Sequence, residues 1–485
     1  MSGKGTDKAP VKKAPAKKAS TKKASTKKAP AKSAVSPKAK QDATHPPDNR
    51  REAQDPHPEN APRALTPESG AARFEDARSR LEEVFDALDI HPDAQARLRQ
   101  PSLSLQVSVP VRMDDGSLKS FPAWRVQYDT SLGPAKGGIR FHPEVNQHEV
   151  TTLSFWMAVK CAVAGLPYGG GKGGVQVDAK ALSSLERERL ARGYVRAVAD
   201  VIGPDRDIPA PDVNTDATVM GWMIDEYEAI VRAKAPGAIT GKPLSLGGSP
   251  GRVEATGRGA LKVLDLWAAR EKRTPEKTTL AVQGFGNAAY HFARLASAKG
   301  YRVVAISDSS GARYDAKGLD VEALKGDKDK HGKLAKTRRG KALSGDELLA
   351  LEVDVLVLAA LENQLHGDNV ENVQAGAVLE IANGPVTSDA DAVLTQRKIP
   401  VLPDVVANTG GVVVSYFEWL QNRAGQAWLE QAVNERLDAL LDDQAGRVFD
   451  RAAHEGITLR QAAYRQGIER ISEAILARGN CKHCH

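Results

Sequence analysis

The sequence predicts an α/β chain: an N-terminal α+β domain, then a doubly wound domain with a parallel sheet, the whole preceded by a disordered basic arm. Three observations carry that expectation. Beyond Thr278 the short apolar runs "TLAVQ", "YRVVAISD", "VDVLVLAA", "AVLEIANG" and "IPVLPD" are separated by segments of crossover length, the pattern of parallel strands covered on both faces. Earlier in the chain, "LSLQVSVPV" and "AWRVQY" alternate apolar with polar residues on either side of Asp115-Gly116, which reads as a hairpin. Residues 1–65 hold almost no large apolar side chains and repeat units such as "APAKKASTKKASTKKAP", so they cannot bury enough surface to fold.

Composition sets the outer bounds. With 485 residues, 41% apolar and 27% charged, the chain has room for two or three domains with cores of their own. Residues 1–50 carry 13 Lys and one Arg against three Asp, a net of +11; the whole chain is +7, so residues 51–485 sum to −4. The basic balance therefore belongs to the arm. Its plainest role is a solubilising extension; a sharper one is weak, non-specific contact with nucleic-acid phosphates, which salt would weaken steeply. No run of eighteen apolar residues and no apolar leader segment is present, so a cytoplasmic protein without membrane contact is expected. Cys161, Cys481 and Cys484 are too few for a disulfide framework.

Taken in order, Phe74, Ala77, Leu81, Val84, Phe85 and Leu88 recur at helical spacing. The hairpin follows, and residues 148–164 read as a helix that Gly165 can end. Next comes "YGGGKGG", five glycines around Lys172. Glycine is costly in regular elements, so the stretch reads as a loop closed around a ligand. It is not a P-loop, because Leu166 stands where the first glycine is needed and Gly173 where Ser or Thr is needed. Residues after about 425 read as helices without a stated destination. The expected divisions are 1–65, 66–247, 248–424 and 425–485.

The motif "GFGNAA" places Gly284, Gly286 and Ala289 after the strand "TLAVQ" and before the helical "AAYHFARLASAKG". That strand-turn-helix setting is the Rossmann-like dinucleotide fingerprint, with small residues letting a pyrophosphate reach a helix N-terminus. Asp308 ends the next strand, where a carboxylate accepts hydrogen bonds from a ribose and favours NAD. Arg313 in the following "SSGAR" offers a rival site for a 2′-phosphate, so NADP stays open beside the lean to NAD.

In the other domain three lysines stand out: Lys136 in "GPAKGGIRF", Lys160 in "FWMAVKCAV" and Lys172, together with Asp212 in "PAPDVNT". Along with "TGKPLSLGGSPGRVEATGRG", "AALENQ" and "ANTGGVVVSYFEW", these stretches make the sequence resemble the glutamate dehydrogenases of the Glu/Leu/Phe/Val dehydrogenase family from about Arg73 onward. The resemblance implies a substrate and oligomerisation domain, a dinucleotide domain, and C-terminal helices that return to the first domain. It implies NAD(P)-dependent oxidative deamination of L-glutamate to 2-oxoglutarate and ammonia by a homohexamer, with no metal.

By the same resemblance Lys172 is the catalytic lysine and Asp212 the proton-transferring aspartate. Lys160 takes the α-carboxylate, and Lys136 and Ser415 take the side-chain carboxylate with Arg252 in support. Thr256, Asn287 and Asn383 join Gly284, Gly286 and Asp308 on the cofactor side. Physical chemistry supports this independently: glutamate brings two carboxylates and needs two cationic anchors, and a third lysine near both has its pKa depressed by desolvation and like charge, which suits proton transfer near neutrality. A branched-chain or aromatic amino-acid dehydrogenase of the same family has no use for a cation at 136 or a hydroxyl at 415. A nucleic-acid-associated protein acting through its basic arm is the rival from another class. The chain departs from the family pattern at Leu358, where proline is common, and at Ile381, where glycine is usual. The terminal "CKHCH" fits the haem-attachment pattern C-x-x-C-H and has donors for zinc, but reads as a mobile terminus.

Overall fold

The computed structural model describes residues 67–479. The basic arm and "CKHCH" lie outside them. The predicted first helix runs as α1 (Pro67–Ala87), followed by α2 (Pro92–Leu98). Leu81, Val84 and Phe85 of α1 are buried. β1 (Leu103–Arg112) and β2 (Leu118–Gln127) form the expected antiparallel hairpin, with Leu103 opposite Gln127. After them come β3 (Ala135–His142), α3 (Gln147–Val163), β4 (Gly169–Gln176), α4 (Ser184–Val198), β5 (Asp207–Pro211) and α5 (Ala217–Val231). The five strands form one sheet in the order β1-β2-β4-β3-β5.

α3 starts where the Asn146 side chain accepts from the Glu149 amide, and it stops before Gly165, whose φ is +69°. Between those ends twelve of its residues are buried, because the helix lies on one face of the sheet while α4 and α5 cover the other.

The glycine run departs most from the sequence reading. It is not a loop but β4, the middle strand of the five. The reason is tertiary. A Cβ on Gly170 would stand 2.2 Å from the Ser154 carbonyl oxygen and 2.5 Å from the Ala158 amide of α3; on Gly169 it would stand 1.9 Å from the Asp129 carbonyl, and on Gly173 2.3 Å from Tyr194 Oη. Glycine lets the backbone of α3 press on the sheet, and pairing on both edges of the strand offsets its entropic cost of roughly 0.5–1 kcal/mol per residue. Gly170→Ala should therefore lower the thermal midpoint by an amount corresponding to about 1–3 kcal/mol or more. Gly286→Ala, with nothing within 4 Å of the added carbon, should leave it unchanged in the same melt.

The second half begins with α6 (Ala255–Arg270), β6 (Thr279–Gln283), α7 (Asn287–Lys299) and β7 (Arg302–Asp308). It continues through β8 (Gly311–Tyr314), α8 (Val321–His331), β9 (Lys341–Leu343), α9 (Gly345–Leu349), β10 (Val355–Leu358), β11 (Ala377–Glu380), α10 (Ser388–Gln396) and β12 (Val401–Leu402). The sheet order is β12-β11-β10-β6-β7-β8-β9. The five strands read from apolar runs pair in parallel, whereas β8 and β9 add an antiparallel edge. These edge strands are too short and too polar to announce themselves as apolar runs.

α11 (Asp404–Ala407), α12 (Gly410–Ala424), α13 (Glu430–Glu455) and α14 (Leu459–Ala477) complete the described chain. α13 packs on α6, and α14 packs on α1 and α3. At the end of α3, Gln466 Nε2 of α14 donates to the Val163 carbonyl at 3.1 Å, and Arg470 donates to the Ala162 carbonyl. One apolar cluster runs from Leu81 and Val159 through Ile468 to Val282 and Leu379, joining the two sheets through α3 and α14. Among the described residues no helix is long and apolar enough to cross a membrane.

Candidate functional site

β3 and β4 are parallel neighbours with Lys136 opposite Gly170. Period-two alternation therefore puts Lys136, Gly138 and Arg140 of β3 on the same face as Gly170 and Lys172 of β4. α3 covers that face and adds Lys160, and Asp212 follows β5 beside it. Lys136, Lys160 and Lys172 are all buried, at 1%, 8% and 6% exposure.

Only one of the three is ion-paired. Lys172 Nζ lies 2.9 Å from Asp212 Oδ2, and Arg140 Nε reaches the same oxygen at 3.1 Å. Arg140 in turn pairs with Glu149 Oε1 at 2.5 Å. Burial holds Lys172 below the ordinary lysine pKa against the pull of Asp212, and the like charge of Arg140 adds to the lowering. Burial alone would raise the Asp212 carboxyl, but Lys172 and Arg140 outweigh it and hold it well below the carboxylate range.

Lys160 Nζ donates to Asn383 Oδ1 at 2.9 Å, a contact that spans the two sheets. Asn408 Nδ2 shares that oxygen at 2.9 Å. Burial lowers the Lys160 pKa despite Asp404. Lys136 Nζ donates to the Ile208 carbonyl at 3.2 Å, and burial, with Arg125 and Arg252 nearby, brings it down to about 7. Neither lysine has a carboxylate at ion-pair distance among the described residues. Arg252 Nε donates to Ser415 Oγ at 3.2 Å, and that hydroxyl donates to the Gly411 carbonyl at 2.9 Å. A Cβ on Gly411 would meet Thr256 Oγ1 at 2.8 Å, so Thr256 of α6 faces α12 at this point.

The glycine turn after β6 has the shape a dinucleotide requires. Gly284 has φ +104° and passes so near Ala359 that a Cβ would lie 2.6 Å from its carbonyl oxygen. Gly286 caps α7 without a side-chain hydrogen bond and opens onto free space. The first amides of α7 are therefore presented to an incoming anion, which fits a pyrophosphate. Asn287 donates to the Val253 carbonyl at 2.6 Å. Asp308 is more occupied than its motif position suggests: Oδ1 accepts from the Ser310 amide at 2.8 Å, and Oδ2 from the Leu334 amide at 3.0 Å with Lys328 Nζ at 3.3 Å. Arg313 is buried and spends its guanidinium on the Leu334 and Ala335 carbonyls. The two departures from the family pattern meet each other, since the Leu358 carbonyl accepts from the amides of Ile381 and Ala382.

Residues 247–479 match the family described as Glutamate/Leucine/Phenylalanine/Valine dehydrogenase, and residues 101–229 match the Glu/Leu/Phe/Val dehydrogenase dimerisation domain. The chain belongs to the Glu/Leu/Phe/Val dehydrogenase family. Within that family it is 48% identical over 415 residues to the NADP-specific glutamate dehydrogenase of Synechocystis sp., covering 84% of this chain and 97% of that one. It is 45% identical to the NAD-specific glutamate dehydrogenase of Staphylococcus aureus, covering 82% and 96%. The hetero-hexameric glutamate dehydrogenase of Thermus thermophilus in its Leu-bound form superposes with a TM-score of 0.81 at 38% identity, covering 85% of this chain and 98% of that chain. The enzyme from Peptoniphilus asaccharolyticus does so at 0.75 and 39%, covering 84% and 99%.

Sequence reasoning about this Glu/Leu/Phe/Val dehydrogenase passed over Arg140 and Glu149, although Arg140 lies four residues beyond Lys136 on one strand and so shares its face. It also passed over the buried pair Lys242–Glu418, 2.6 Å apart. Glu418 Oε2 accepts from the Gly241 amide at 2.8 Å, which pins the helix bearing Ser415 to the segment after α5.

Proposed function

We infer that the chain is an NAD(P)-dependent glutamate dehydrogenase that interconverts L-glutamate with 2-oxoglutarate and ammonia. The observation that carries this reading is a pair of buried lysines without carboxylate partners beside a third that already has one. A substrate with two carboxylates completes such a site; one with an apolar side chain leaves Lys136 stranded. The first sheet holds the substrate and the second the dinucleotide, with α14 returning to the first through α3 while α13 packs on α6.

Lys160 takes the α-carboxylate, exchanging Asn383 for it, and Lys136 with Ser415 takes the side-chain carboxylate while Arg252 holds the serine. The glycine turn at 284–286 and the start of α7 would hold the dinucleotide, with Thr256, Asn287 and Asn383 also on the cofactor side. When bound, the dinucleotide supplies the acceptor for hydride from the substrate Cα. Lys172 in its amine form then removes a proton from the water that adds to the imine carbon. Asp212 relays a proton to the nitrogen, which leaves as ammonia. Oxidative deamination measured on glutamate, leucine, valine and phenylalanine with each cofactor tests the assignment; wild-type turnover of leucine equal to that of glutamate would overturn it.

Cofactor preference leans to NAD, because the Asp308 carboxylate repels a 2′-phosphate. Comparing kcat/KM for the two cofactors checks it, and an NADP preference above about tenfold would reverse the lean. Assembly as a cytoplasmic hexamer is the matching expectation, and light scattering that finds a monomer at micromolar concentration would exclude it.

Lys136 makes substrate binding pH-dependent. Its pKa of about 7 in the fold lies below its ordinary 10.5, so the unfolded chain binds more protons between those values and the ligand-free fold gains stability as pH rises through that window. A bound carboxylate favours the charged lysine. Glutamate binding should therefore take up a proton at pH 8, seen as a calorimetric enthalpy that varies with buffer ionisation, and the uptake should vanish below about pH 6. Buffer-independent enthalpies at both pH values would contradict this.

A further inference from the structure

We infer that Arg125 and Asp207 are positioning residues: their ion pair, lying beneath the glycine strand, fixes the strands that carry Lys136 and Lys172 relative to each other. The inference rests on the roles proposed for those two lysines. Arg125 belongs to β2 and Asp207 to β5, with β4 and β3 between them in the sheet. Both side chains are completely buried. Arg125 Nε donates to Asp207 Oδ2 at 2.7 Å, and Nη2 donates to Oδ1.

Register places the pair under the site. Arg125 is opposite Gly173, and Asp207 is opposite Ala135, so both point to the face of the sheet away from Lys136 and Lys172. The bridge can cross two strands only because they present glycines there. A Cβ on Gly171 would lie 3.1 Å from both Arg125 Nη2 and Asp207 Oδ1, and one on Gly173 would lie 3.2 Å from Nη1. Nη1 also donates to the carbonyl of Gly137, the residue after Lys136, at 3.2 Å. Gln127 Nε2 adds a bond to Asp207 Oδ2 at 3.2 Å. One guanidinium thus holds the backbone beside Lys136 and underlies both neighbours of Lys172.

A buried ion pair is weak evidence for stability, since an apolar replacement often serves as well. Its distinct contribution here is geometry. The groups that set the charge on Lys136 are Cys161 from α3, Arg125 from β2, Arg252, and Glu418 from α12, and Asp207 neutralises the Arg125 among them.

The test uses the full-length enzyme with Arg125→Lys, Asp207→Asn and the charge-free double variant Arg125→Met/Asp207→Asn. The double variant should bind NADH or NADPH as the wild type does, while kcat for glutamate falls by at least about tenfold through misplacement of the lysines. Arg125→Lys should recover part of that loss. Asp207→Asn leaves Arg125 uncompensated, so the pH above which KM for glutamate rises should move down. A purely structural pair would lower the melting midpoint and leave kcat, KM and the pH profile of the folded enzyme unchanged, which would overturn the inference. If the Asp207 variants fail to fold, an Arg125→Lys enzyme with wild-type kcat overturns it as well. Failure of the underlying functional reading looks different, since the wild type itself would then not turn over glutamate.

Discussion

Lys172→Met should lower kcat for glutamate by about 10²–10⁴-fold, the range expected when a positioned proton-transfer group is removed. Fold and dinucleotide binding should survive. The partner left behind is not orphaned, because Arg140 still holds Asp212 at 3.1 Å, so no unpaired charge is buried. Methionine also fills the cleft that the lysine stem occupied without adding a Cβ to either flanking glycine. Steady-state kinetics alongside NADH titration and a thermal melt check the outcome. A variant within a few-fold of wild type would remove Lys172 from the chemistry, whereas loss of both binding and fold would assign it a structural duty instead.

Lys136→Leu combined with Ser415→Val should lower kcat/KM for glutamate by at least about 30-fold, since truncating one partner of a buried charged contact costs some 2–5 kcal/mol. Any loss of stability should come from Ser415→Val, which takes the acceptor from Arg252 Nε, and not from the lysine change. Lys136 meets only a backbone carbonyl in the ligand-free fold, and removing a desolvated amine of lowered pKa relieves a cost instead of breaking a pair. Turnover of leucine relative to glutamate should rise, because the pocket then presents methyl groups where it had a cation and a hydroxyl. An unchanged ratio would mean that the side-chain carboxylate is read elsewhere.

Much of this arrangement was legible in the sequence. Helical spacing found α1 and α3, alternation found the hairpin, and apolar runs found the parallel strands, because each signal is local. β4 was misread since the cause of its glycines is tertiary contact, with the preceding helix α3 folded back on one face and with Arg125 and Tyr194 on the other, which the run itself does not state. The lysines and Asp212 were found through motif resemblance. Their mutual placement follows from register, which the sequence does not state. Lys160 and Asn383 are 223 positions apart, and nothing in either motif pairs them. Charged residues such as Arg125, Asp207, Lys242 and Glu418 read as surface until a partner across the sheet shows otherwise. Asp308 was placed correctly at a strand end, yet its occupancy by Lys328 and the Leu334 amide depends on a segment that its motif does not include.

The tie between α14 and α3 has a consequence for how the molecule comes into being. The carbonyls that finish the Lys160 helix at Ala162 and Val163 are satisfied by Arg470 and Gln466, 308 and 303 positions later. At a synthesis rate of about 5–20 residues per second, those donors leave the ribosome roughly 15–60 s after the helix they complete. During that interval the first sheet can form, but the end of the helix that carries Lys160 lacks its closing contacts. Contacts of such long sequence separation are also the slowest to close. The nascent chain therefore passes through a stage with its strands paired and its candidate site unfinished, and the site is completed only by α14, the last helix of the described residues.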